Sequence, residues 1–300
     1  MKYGAIDIGT NAARLLIGEV VYEGGSSFVK KISYTRIPLR LGMEVFENGR
    51  ISNKKAEEFR KSIKAFRLIA DVFNVAELRA CATSAMREAE NGLSVQKMIR
   101  KDTGVDIAII DGDEEAKIIF SSFLQIDYDL SQPFIVIDVG GGSTEISIFY
   151  EGKKTAARSF KIGTIRILKG KVSDKIWDKI EDWLDKSINN KKEYLVFATG
   201  GNINKAHKLL GKTGNEPIRI KELKKLNRKL KGMSLSQRIS KYQLKPDRAD
   251  VIVPATGIYL KIAKHLDCKE MFVPKIGLSD GMIHLMDLER REEEKGHEKG

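Results

Sequence analysis

The sequence carries the same short signal twice. Asp-Ile-Gly-Thr begins at Asp7, and Asp-Val-Gly-Gly begins at Asp138, 131 residues later. Each signal follows an apolar run that predicts a buried strand and precedes another β-rich run, so each predicts a hairpin turn. In both halves, a third β-rich run and then helices alternating with strands follow in the same order. An internal duplication explains this repetition, and it restricts the chain to two similar α/β units.

The length and the element pattern predict two domains. A chain of 300 residues is long for one hydrophobic core and suits two domains of about 150 residues each. We therefore predict an α/β fold of two duplicated domains, each a mixed βββαβα sheet with helices on both faces, and a cleft between them. Domain I is placed at residues 1–125 and domain II at residues 126–300, with residues 290–300 as a frayed charged tail.

Both hairpin turns have the composition of a phosphate-binding loop. Glycine allows backbone N–H groups to turn toward an oxyanion without obstruction by a Cβ atom, and neighbouring hydroxyl groups add donors. For one turn alone, a plain hairpin is the simpler interpretation. Two turns at matching positions of a duplicated chain favour a phosphate site between the domains. The candidate residues are Gly9, Thr10 and Asn11 in the first turn and Gly140, Gly141, Gly142, Ser143 and Thr144 in the second.

Acidic residues beside these turns predict a divalent cation. Asp7 and Asp138 end the two strands, where each carboxylate would repel a bound phosphate. Magnesium resolves this conflict, because it typically binds one or two carboxylates, water and phosphate oxygens. Asp138 and Glu145 flank the second turn and are the predicted metal ligands. The alternative is that both carboxylates only accept hydrogen bonds from turn amides.

The net charge of +12 is concentrated in one segment. Residues 219–245 contain ten basic residues and one acid, and Leu223, Leu226 and Leu230 recur at helical spacing. This pattern predicts an amphipathic helix with its apolar stripe inward and its cations outward. The basic face is either a solvated surface or an electrostatic track for a polyanion. The segment contains no nucleic-acid-binding motif and no interleaved aromatic residues, so we expect no nucleic-acid partner.

The remaining composition predicts a cytoplasmic globular protein. No stretch approaches the roughly 18 apolar residues of a membrane span, so we expect no membrane partner. The N-terminal residues predict a first strand and lack the pattern of a secretory signal. Cys81 and Cys268 have no partner spacing for zinc or a disulfide framework, and we expect both to be small core residues.

Six motifs occur in a fixed order along residues 1–288. They are D-I-G-T-N-x-x-R from Asp7, A-T-S-A-M-R from Ala82, D-G-D-E-E-A from Asp111, D-V-G-G-G-S-T-E from Asp138, A-T-G-G-N from Ala198 and G-L-S-D-G from Gly277. In these motifs and their order the chain resembles the Ppx/GppA phosphatases, which comprise exopolyphosphatases and guanosine pentaphosphate phosphohydrolases. This family lies within the superfamily of actin, sugar kinases and heat-shock ATPases. The resemblance therefore implies the actin-like, ribonuclease H-like form of the duplicated fold.

The resemblance also implies roles for individual residues. Glu115, the second acid of D-G-D-E-E-A, is implied as the general base that activates the attacking water, and Arg87 and Arg14 as phosphate-contacting cations. Without the resemblance, the preference for acids in the first turn of a helix is the better explanation of Glu114 and Glu115. Where family members commonly have Ser, this chain has Ala12, which lacks a hydroxyl group. Further implied phosphate contacts are Thr83, Ser84, Gly200 and Gly201.

The residues and the resemblance together leave several functional hypotheses. The first is hydrolysis of the terminal phosphate of inorganic polyphosphate, with magnesium or another divalent cation as cofactor. The second is the same chemistry on guanosine pentaphosphate. An actin-like ATP-binding protein or a sugar kinase is a remote alternative, since the fold alone permits either. Related proteins commonly form twofold-symmetric dimers, which favours a homodimer.

Overall fold

The chain divides into two compact units. The computed structural model describes residues 1–24, 26–123, 131–189 and 193–297. Unit 1 contains Met1–Asp127 and Ile276–Gly300, and unit 2 contains Tyr128–Lys275. The predicted domain boundary between residues 125 and 126 lies outside the described residues.

The N-terminal part of unit 1 has a mixed sheet with the strand order β3-β2-β1-β4-β5. Strand β1 pairs antiparallel with β2 and parallel with β4, and all six of its residues are buried. A continuous apolar run is typical of a strand covered on both faces. The elements of residues 1–123 are β1 (Tyr3–Ile8), β2 (Ala13–Glu23), β3 (Ser26–Ile37), α1 (Leu41–Asn48), α2 (Asn53–Val72), β4 (Glu77–Ala82), α3 (Ser84–Glu88), α4 (Gly92–Thr103), β5 (Ile107–Ile109) and α5 (Gly112–Phe123).

Unit 2 repeats this topology. Its sheet has the order β8-β7-β6-β9, and a parallel bridge between Phe197 and Phe272 continues it beyond β9. The predicted duplication of a mixed βββαβα unit is thus confirmed. The elements of unit 2 are β6 (Phe134–Val139), β7 (Thr144–Tyr150), β8 (Lys153–Phe160), α6 (Thr164–Leu168), α7 (Ile176–Ser187), β9 (Leu195–Thr199), α8 (Gly201–Leu209), β10 (Ile218–Arg219), α9 (Ile220–Lys231), α10 (Leu235–Tyr242), α11 (Pro246–Ala249), α12 (Ile252–His265) and β11 (Glu270–Met271).

The last helix, α13 (Leu278–His297), belongs to unit 1. The sequence prediction had placed it in domain II, with the rest of residues 126–300. Its apolar side is buried through Met282, Ile283 and Met286. Its buried Asp287 accepts hydrogen bonds from the hydroxyl groups of Tyr3 (3.2 Å) and Tyr22 (2.7 Å) of the unit 1 sheet. Position along the chain predicts that a C-terminal helix packs on the domain that precedes it. The tertiary contacts of α13 instead place it on the sheet of unit 1.

Residues 290–297 are helical and not the predicted frayed tail. Arg290 forms an ion pair with Glu294 at 2.7 Å, one helical turn further on. Arg291 likewise contacts Asp287, one turn earlier, at 2.8 Å. Pairs at this spacing support an exposed helix, which a composition rule for charged tails does not take into account. Residues 298–300 lie outside the described residues.

The basic segment forms two helices instead of one. α9 ends at Lys231, and Gly232 follows it as the C-cap. α10 begins after Ser234, whose hydroxyl accepts the N–H of Gln237 at 3.2 Å while the Gln237 side chain accepts the N–H of Ser234 at 2.8 Å. This capping box stabilises a new helix start, and it separates the cations of α9 from those of α10.

Both cysteines are free thiols; Cys81 is the predicted core residue, whereas Cys268 is half-buried and donates to the carbonyl of Glu270 at 2.8 Å. Burial, followed by the nearby charge of Asp7, raises the pKa of the Cys81 thiol to about 12. Burial also raises the pKa of Cys268 to about 11. Both side chains therefore remain neutral near pH 7. Within the described ranges, every helix is too short or too polar to cross a membrane.

Candidate active site

Three parallel strands of unit 1 end at the same edge of the sheet. In the strand register, Ile8 of β1 lies beside Ala82 of β4, and Ala82 lies beside Ile109 of β5. The segments that follow these strands carry the candidate site residues of this unit: the turn after β1 and the start of β2, the Thr83–α3 segment after β4, and the start of α5 after β5. Because the carboxyl ends of parallel strands are the usual location of ligand sites in α/β sheets, this edge is the candidate site of unit 1.

The turn after β1 is closed by its own backbone. The Gly9 N–H donates to the carbonyl of Ala12 at 3.1 Å. The Thr10 hydroxyl lies 2.9 Å from the hydroxyl of Ser84, the first residue of α3, and both side chains are buried. The start of α1 binds two turn carbonyls, since Gly42 donates to Thr10 and the Arg40 N–H donates to Asn11, each at 3.0 Å. Predicted site residues from the turn after β1 and from the start of α3 are thus in contact.

Asp7 and Arg14 are cross-strand neighbours in the first hairpin. They occupy opposite positions in the β1–β2 register, and the Arg14 guanidinium donates to the Asp7 carboxylate. The side chain of Arg14 is 27% exposed. The predicted phosphate-contacting arginine therefore also neutralises the acid that ends β1.

Arg87 lies in the short helix α3, directly after the loop that carries Thr83. The N–H of Thr83 donates to the carbonyl of Ile8 at 3.2 Å, which joins this loop to the end of β1. The guanidinium of exposed Arg87 donates to the carbonyl of Ile110, which immediately precedes the Asp-Gly turn before α5. Arg87 therefore has one contact that directs it toward the start of α5.

Glu115 lies in the first turn of α5 at the same edge. Asp111 caps this helix, because its carboxylate accepts the N–H groups of Asp113 (3.0 Å) and Glu114 (2.8 Å). These backbone hydrogen bonds lower the pKa of Asp111. Glu115 is half-buried, and its charge contributes to the raised pKa of Cys81 in the neighbouring strand β4. Its carboxylate thus lies at a capped helix start, near enough to β4 for its charge to act on Cys81.

The second hairpin repeats the geometry of the first. The Gly140 N–H donates to the carbonyl of Ser143 at 3.0 Å, as the Gly9 N–H does to Ala12. The start of α6 binds the turn carbonyls, with the N–H of Thr164 donating to Gly140 (3.1 Å) and that of Ile165 to Gly141 (2.8 Å). The two predicted phosphate turns therefore share one hydrogen-bond pattern, each supported by a short helix after the third strand.

Two supporting residues of the second turn were not predicted. Buried Arg166 donates through Nε to the carbonyl of Gly142 at 2.8 Å. Gly163 lies so close to the turn that a Cβ atom there would be 2.5 Å from backbone atoms of Gly141 and Gly142. The available sequence signal was the Gly163-Thr164 pair before a short apolar run. A helix of five residues is too short for hydrophobic periodicity to detect.

The hydroxyl of Thr144, a predicted phosphate donor, forms a hydrogen bond within unit 2. It donates to the carbonyl of Ile162 at 2.6 Å, and the residue is fully buried. Thr144 therefore connects β7 to the segment before α6. Ser143, in the same turn, is also buried, and its carbonyl accepts the N–H of Gly140 at 3.0 Å.

Gly200 and Gly201 follow β9 and lie against the same turn. Gly200 has a positive φ of 110°, and a Cβ atom there would lie 3.2 Å from the carbonyl oxygen of Val139 and 3.5 Å from Asp138 Oδ1. Only glycine combines this backbone conformation with such close packing. Gly201 begins α8, and the guanidinium of Arg248 donates to its carbonyl. The structure thus brings Gly200 and Gly201 together with the second turn.

Asp138 and Glu145, the predicted metal ligands, are cross-strand partners in the β6–β7 register. Asp138 accepts a hydrogen bond from Thr199 Oγ1 at 2.6 Å, and Glu145 accepts one from Ser159 Oγ at 2.7 Å. Residues opposite each other on adjacent strands project to the same face, so both carboxylates lie on one side of the sheet. Two carboxylates are a sufficient protein contribution for magnesium, which retains water and phosphate ligands. In the described parts of the chain, no three His, Cys, Asp or Glu side chains gather as a metal cluster.

A further buried residue supports both loops of unit 2. The hydroxyl of Tyr259 in α12 donates to the carbonyl of Thr199 and accepts the N–H of Val139 at 3.2 Å. Burial, and then the nearby charge of Asp138, raises the pKa of Tyr259 well above its usual range. The phenol therefore remains neutral. It holds together the ends of β6 and β9, from which the loops at Gly140 and Gly200 begin.

Comparison with solved structures defines the fold class. A Ppx/GppA family member from Aquifex aeolicus aligns with a TM-score of 0.75 and 23% identity, over 97% of this chain and 98% of that chain. An exopolyphosphatase from Cytophaga hutchinsonii aligns with a TM-score of 0.81 and 22% identity, over 95% of this chain and 97% of that chain. The protein thus has the actin-like α/β fold of two duplicated units that the motifs implied.

Comparison of sequences defines the family. Residues 20–290 match the Ppx/GppA phosphatase family, so this chain belongs to that family. It is 30% identical to exopolyphosphatase 1 of Mycobacterium tuberculosis over 193 residues, which are 63% of this chain and 55% of that protein. It is 26% identical to exopolyphosphatase 1 of Mycobacterium leprae over 303 residues, which are 94% of this chain and 88% of that protein. A guanosine-5'-triphosphate,3'-diphosphate pyrophosphatase of Aliivibrio fischeri is 23% identical over 97% of this chain and 60% of its own length. The matched region thus spans about half of the M. tuberculosis relative.

Proposed function

We propose that this protein is an exopolyphosphatase that releases the terminal phosphate of inorganic polyphosphate. Family membership and the similarity to two mycobacterial exopolyphosphatases support a phosphoric anhydride hydrolase. The observation that carries the proposal is the common sheet edge in unit 1. There, Glu115 lies in the first turn of a capped helix, the hydroxyl groups of Thr10 and Ser84 are in contact at the same sheet edge, and Arg87 donates to the carbonyl of Ile110 just before that helix. A carboxylate among oxyanion donors is the arrangement that hydrolysis by an activated water requires.

In the proposed reaction, Glu115 accepts a proton from a water molecule whose oxygen attacks the terminal phosphorus atom. The bond from that phosphorus to the bridging oxygen breaks, and its electron pair remains on the shortened chain. The products are inorganic phosphate and a polyphosphate with one residue fewer. A carboxylate in the first turn of a helix is favoured in its ionised form, so Glu115 is ready to accept the proton but is a weak base. Most of the acceleration therefore comes from positioning and charge neutralisation, as is usual for phosphoryl transfer.

Magnesium is the proposed cofactor, held by Asp138 and Glu145 directly or through water. When bound, it would neutralise charge on the phosphate oxygens next to the breaking bond. The protein's own contribution is to orient the two carboxylates, which the hydroxyl groups of Thr199 and Ser159 do through their hydrogen bonds. The cationic side chains of Arg14 and Arg87 would contact the terminal phosphoryl group.

A second candidate substrate is guanosine pentaphosphate, the alternative favoured by the similarity to the A. fischeri pyrophosphatase. Its terminal phosphate would undergo the same reaction at the same residues. We rank polyphosphate first because the two mycobacterial relatives have higher identity, and because residues 219–245 carry a charge of +9. A repeating polyanion matches such a long basic surface better than a single nucleotide does. An actin-like ATP-binding role remains the remote alternative, and the homodimer remains a proposal.

The proposal is tested by measuring phosphate release from polyphosphate, guanosine pentaphosphate and ATP, each with magnesium and with a chelator. Wild-type protein is expected to release phosphate from polyphosphate with magnesium and to lose this activity with the chelator. Glu115→Gln retains the shape of the side chain but cannot accept the proton, so kcat should fall by about 10²–10⁴-fold while KM changes little.

The matched control is Glu114→Gln, because Glu114 is the adjacent acid in the same helical turn and is exposed. Its kcat should remain within about twofold of the wild type, as is typical of surface substitutions. Equal rates for wild type and Glu115→Gln would remove the assignment of the base. Turnover of ATP without cleavage of polyphosphate or guanosine pentaphosphate would contradict the proposed function.

A further inference from the structure

The unit 1 sheet carries a second arginine beside Arg14 that the proposed reaction does not use. In the strand register, Asp7 of β1 lies opposite Arg14 of β2, and Arg14 lies opposite Arg36 of β3. On the other side of Asp7 lies Cys81 of β4. Residues opposite each other on adjacent strands project to the same face, so these four side chains form one row across the sheet, the strand-end row.

The strand-end row projects to the face of the sheet on which α13 lies. Tyr3 precedes Asp7 by four residues on β1, so the alternation of the strand places both side chains on one face. The hydroxyl of Tyr3 donates to α13 at 3.2 Å. α5 packs on α13, since Ser121 of α5 donates through its hydroxyl to the carbonyl of Gly281 at 3.2 Å. The strand-end row is therefore on the same side of the sheet as Glu115 on α5.

The charges of α5 act on this row. After burial and the charge of Asp7, the carboxylates of Glu114 and Glu115 contribute to the raised pKa of Cys81. The start of α5 is thus close to the strand ends and not only on the same side of the sheet.

Two guanidinium groups are neighbours in the strand-end row. Arg14 forms an ion pair with Asp7, and the half-buried Arg36 lies directly opposite Arg14 on the next strand. Like charges directly opposite each other destabilise a sheet, so their juxtaposition favours an anion between them. Guanidinium groups contact phosphate oxygens through a planar fork of donors, and two of them can share one phosphate.

The chain after Arg36 returns to the first phosphate turn. Ile37 ends β3 opposite Ala13, which directly follows that turn. The N–H of Arg40 then donates to the carbonyl of Asn11 within the turn at 3.0 Å. Arg36 is therefore fixed beside the hairpin that carries the turn.

The matching position of unit 2 contacts a predicted site residue. In that unit, Asp138, Glu145 and Ser159 occupy the row on β6, β7 and β8. Ser159 takes the place of Arg36, and its hydroxyl donates to Glu145 at 2.7 Å. In unit 2 the third strand thus contributes a side chain to the candidate site. The duplication indicates that the third strand of unit 1 does the same.

From these positions we infer that Arg36 is a further catalytic residue, a second guanidinium that contacts the terminal phosphoryl group together with Arg14. This inference rests on the proposed function and extends it. The phosphoryl group in transfer carries its charge on three equatorial oxygens, so two guanidinium groups can bind different oxygens. Arg36 would neutralise part of this charge while Arg14 remains paired with Asp7.

The first test measures phosphate release by Arg36→Ala from tripolyphosphate and from long-chain polyphosphate, with magnesium. kcat/KM should fall about 10²-fold on both substrates, because the terminal phosphoryl group is common to them. Millimolar guanidinium chloride, far below denaturing concentrations, should recover about tenfold of this loss, since the free ion can replace the deleted group. A residue that only stabilised the sheet would show no such recovery.

A conservative variant, Arg36→Lys, keeps the positive charge but loses the planar fork of donors. Its kcat/KM should fall by about tenfold, less than that of Arg36→Ala. Circular dichroism and urea titration of both variants check that they are folded.

The matched control is Arg79→Ala. Arg79 lies two residues before Cys81 on β4, on the same face of the sheet, and its guanidinium is paired with Glu77 and Glu289. The control therefore removes an arginine from the same face without removing one from the strand-end row. Its kcat/KM should remain within about twofold of wild type, with or without guanidinium chloride.

Inorganic phosphate, the proposed product, provides a measurement that does not depend on hydrolysis. A ligand that binds the native state raises the melting temperature. With magnesium present, phosphate should raise the melting temperature of wild type and of Arg79→Ala. The rise should be less than half as large for Arg36→Ala, because one of the two guanidinium contacts is lost.

The outcomes separate this inference from the proposed function. If wild type releases phosphate from polyphosphate and Arg36→Ala keeps its kcat/KM, the role of Arg36 is refuted and the function stands. A loss of activity in Arg36→Ala without recovery by guanidinium, and with the full effect of phosphate on the melting temperature, would show a structural role and would also refute it. If wild type hydrolyses none of the substrates but Arg36→Ala still loses the effect of phosphate, the proposed function is refuted while the phosphate contact of Arg36 stands.

Discussion

At the scale of single residues, the two hairpins differ most at one cross-strand position. In unit 1, Asp7 lies opposite Arg14, and the two side chains form an ion pair. At the matching position in unit 2, Asp138 lies opposite an acid, Glu145. One scaffold thus neutralises its strand-end acid internally, whereas the other presents two carboxylates. This difference makes the second hairpin, and not the first, the candidate cation site.

Tyr259→Phe tests how strongly one buried hydroxyl supports the loops of unit 2. The substitution leaves the N–H of Val139 and the carbonyl of Thr199 without their shared partner in a buried environment. The free energy of unfolding should therefore fall by about 1–3 kcal/mol in urea titrations. Tyr242→Phe is the matched control, because that ring is only half-buried, and it should change stability by less than about 0.5 kcal/mol. Equal stability losses for both variants would contradict the role assigned to the Tyr259 hydroxyl.

At the scale of elements, the short helices α1 and α6 have the same function in the two units. Each begins soon after the third strand, and its first N–H groups bind carbonyls of the phosphate turn. α6 has five residues and α1 has eight, too few for a helix to be stable without tertiary contacts. Their stability thus comes from the turn that they support. Neither was visible as a periodic pattern in the sequence.

The long elements were predictable for the opposite reason. A continuous apolar run predicts the buried strand β1, all six residues of which are buried. The helical spacing of Phe59, Ile63 and Phe66 likewise predicts the buried face of α2. The candidate residues in the turn after β1 were found because strand ends and glycine turns are local signals, whereas those after β4 and β5, Glu115 among them, were assigned only through the family resemblance. Arg166 and Tyr259 were missed because their partners are distant in the chain and their residue types have no distinctive pattern. The bond from the Thr144 hydroxyl to the carbonyl of Ile162 could not be predicted either, because Ile162 lies 18 residues further along the chain.

Gly281→Ala tests the contact between α13 and α5. A Cβ atom at Gly281 would lie 1.9 Å from the carbonyl oxygen of Ile118, a backbone atom one turn after Glu115. The helices would have to separate, so stability should fall by about 1–3 kcal/mol and kcat should fall as Glu115 shifts. Gly257→Ala in α12 is the matched control, because a Cβ atom at Gly257 would have no neighbouring atom within 4 Å. Its free energy of unfolding should rise by up to about 1 kcal/mol, since alanine has the higher helix propensity. Urea titration and phosphate release measure the two effects, and an unchanged kcat would contradict the coupling to Glu115.

At the scale of the whole molecule, the two units differ in chain continuity. Unit 2 is one continuous segment, whereas unit 1 combines the N-terminal part of the chain with α13 from its end. The buried side of α13 includes Met282, Ile283 and Met286, and burial of three such side chains stabilises by about 5–9 kcal/mol. This contribution is comparable to the entire stability of a typical domain. Unit 1 therefore depends on α13 for its fold.

This dependence predicts different behaviour for isolated fragments. Residues 131–275 should fold alone and unfold cooperatively in urea, because the core of unit 2 is contained in that segment. Residues 1–123 alone should show little protected structure, since the sheet surface that α13 covers would be exposed. The matched control joins residues 1–123 to residues 276–297 through a flexible Gly/Ser linker, and it should recover a cooperative transition and slow amide hydrogen exchange. If residues 1–123 were as stable without α13 as with it, unit 1 would not require the packing of α13 for its fold. The role of α13 would then be limited to its contact with α5 through Gly281 and Ile118, one turn after Glu115.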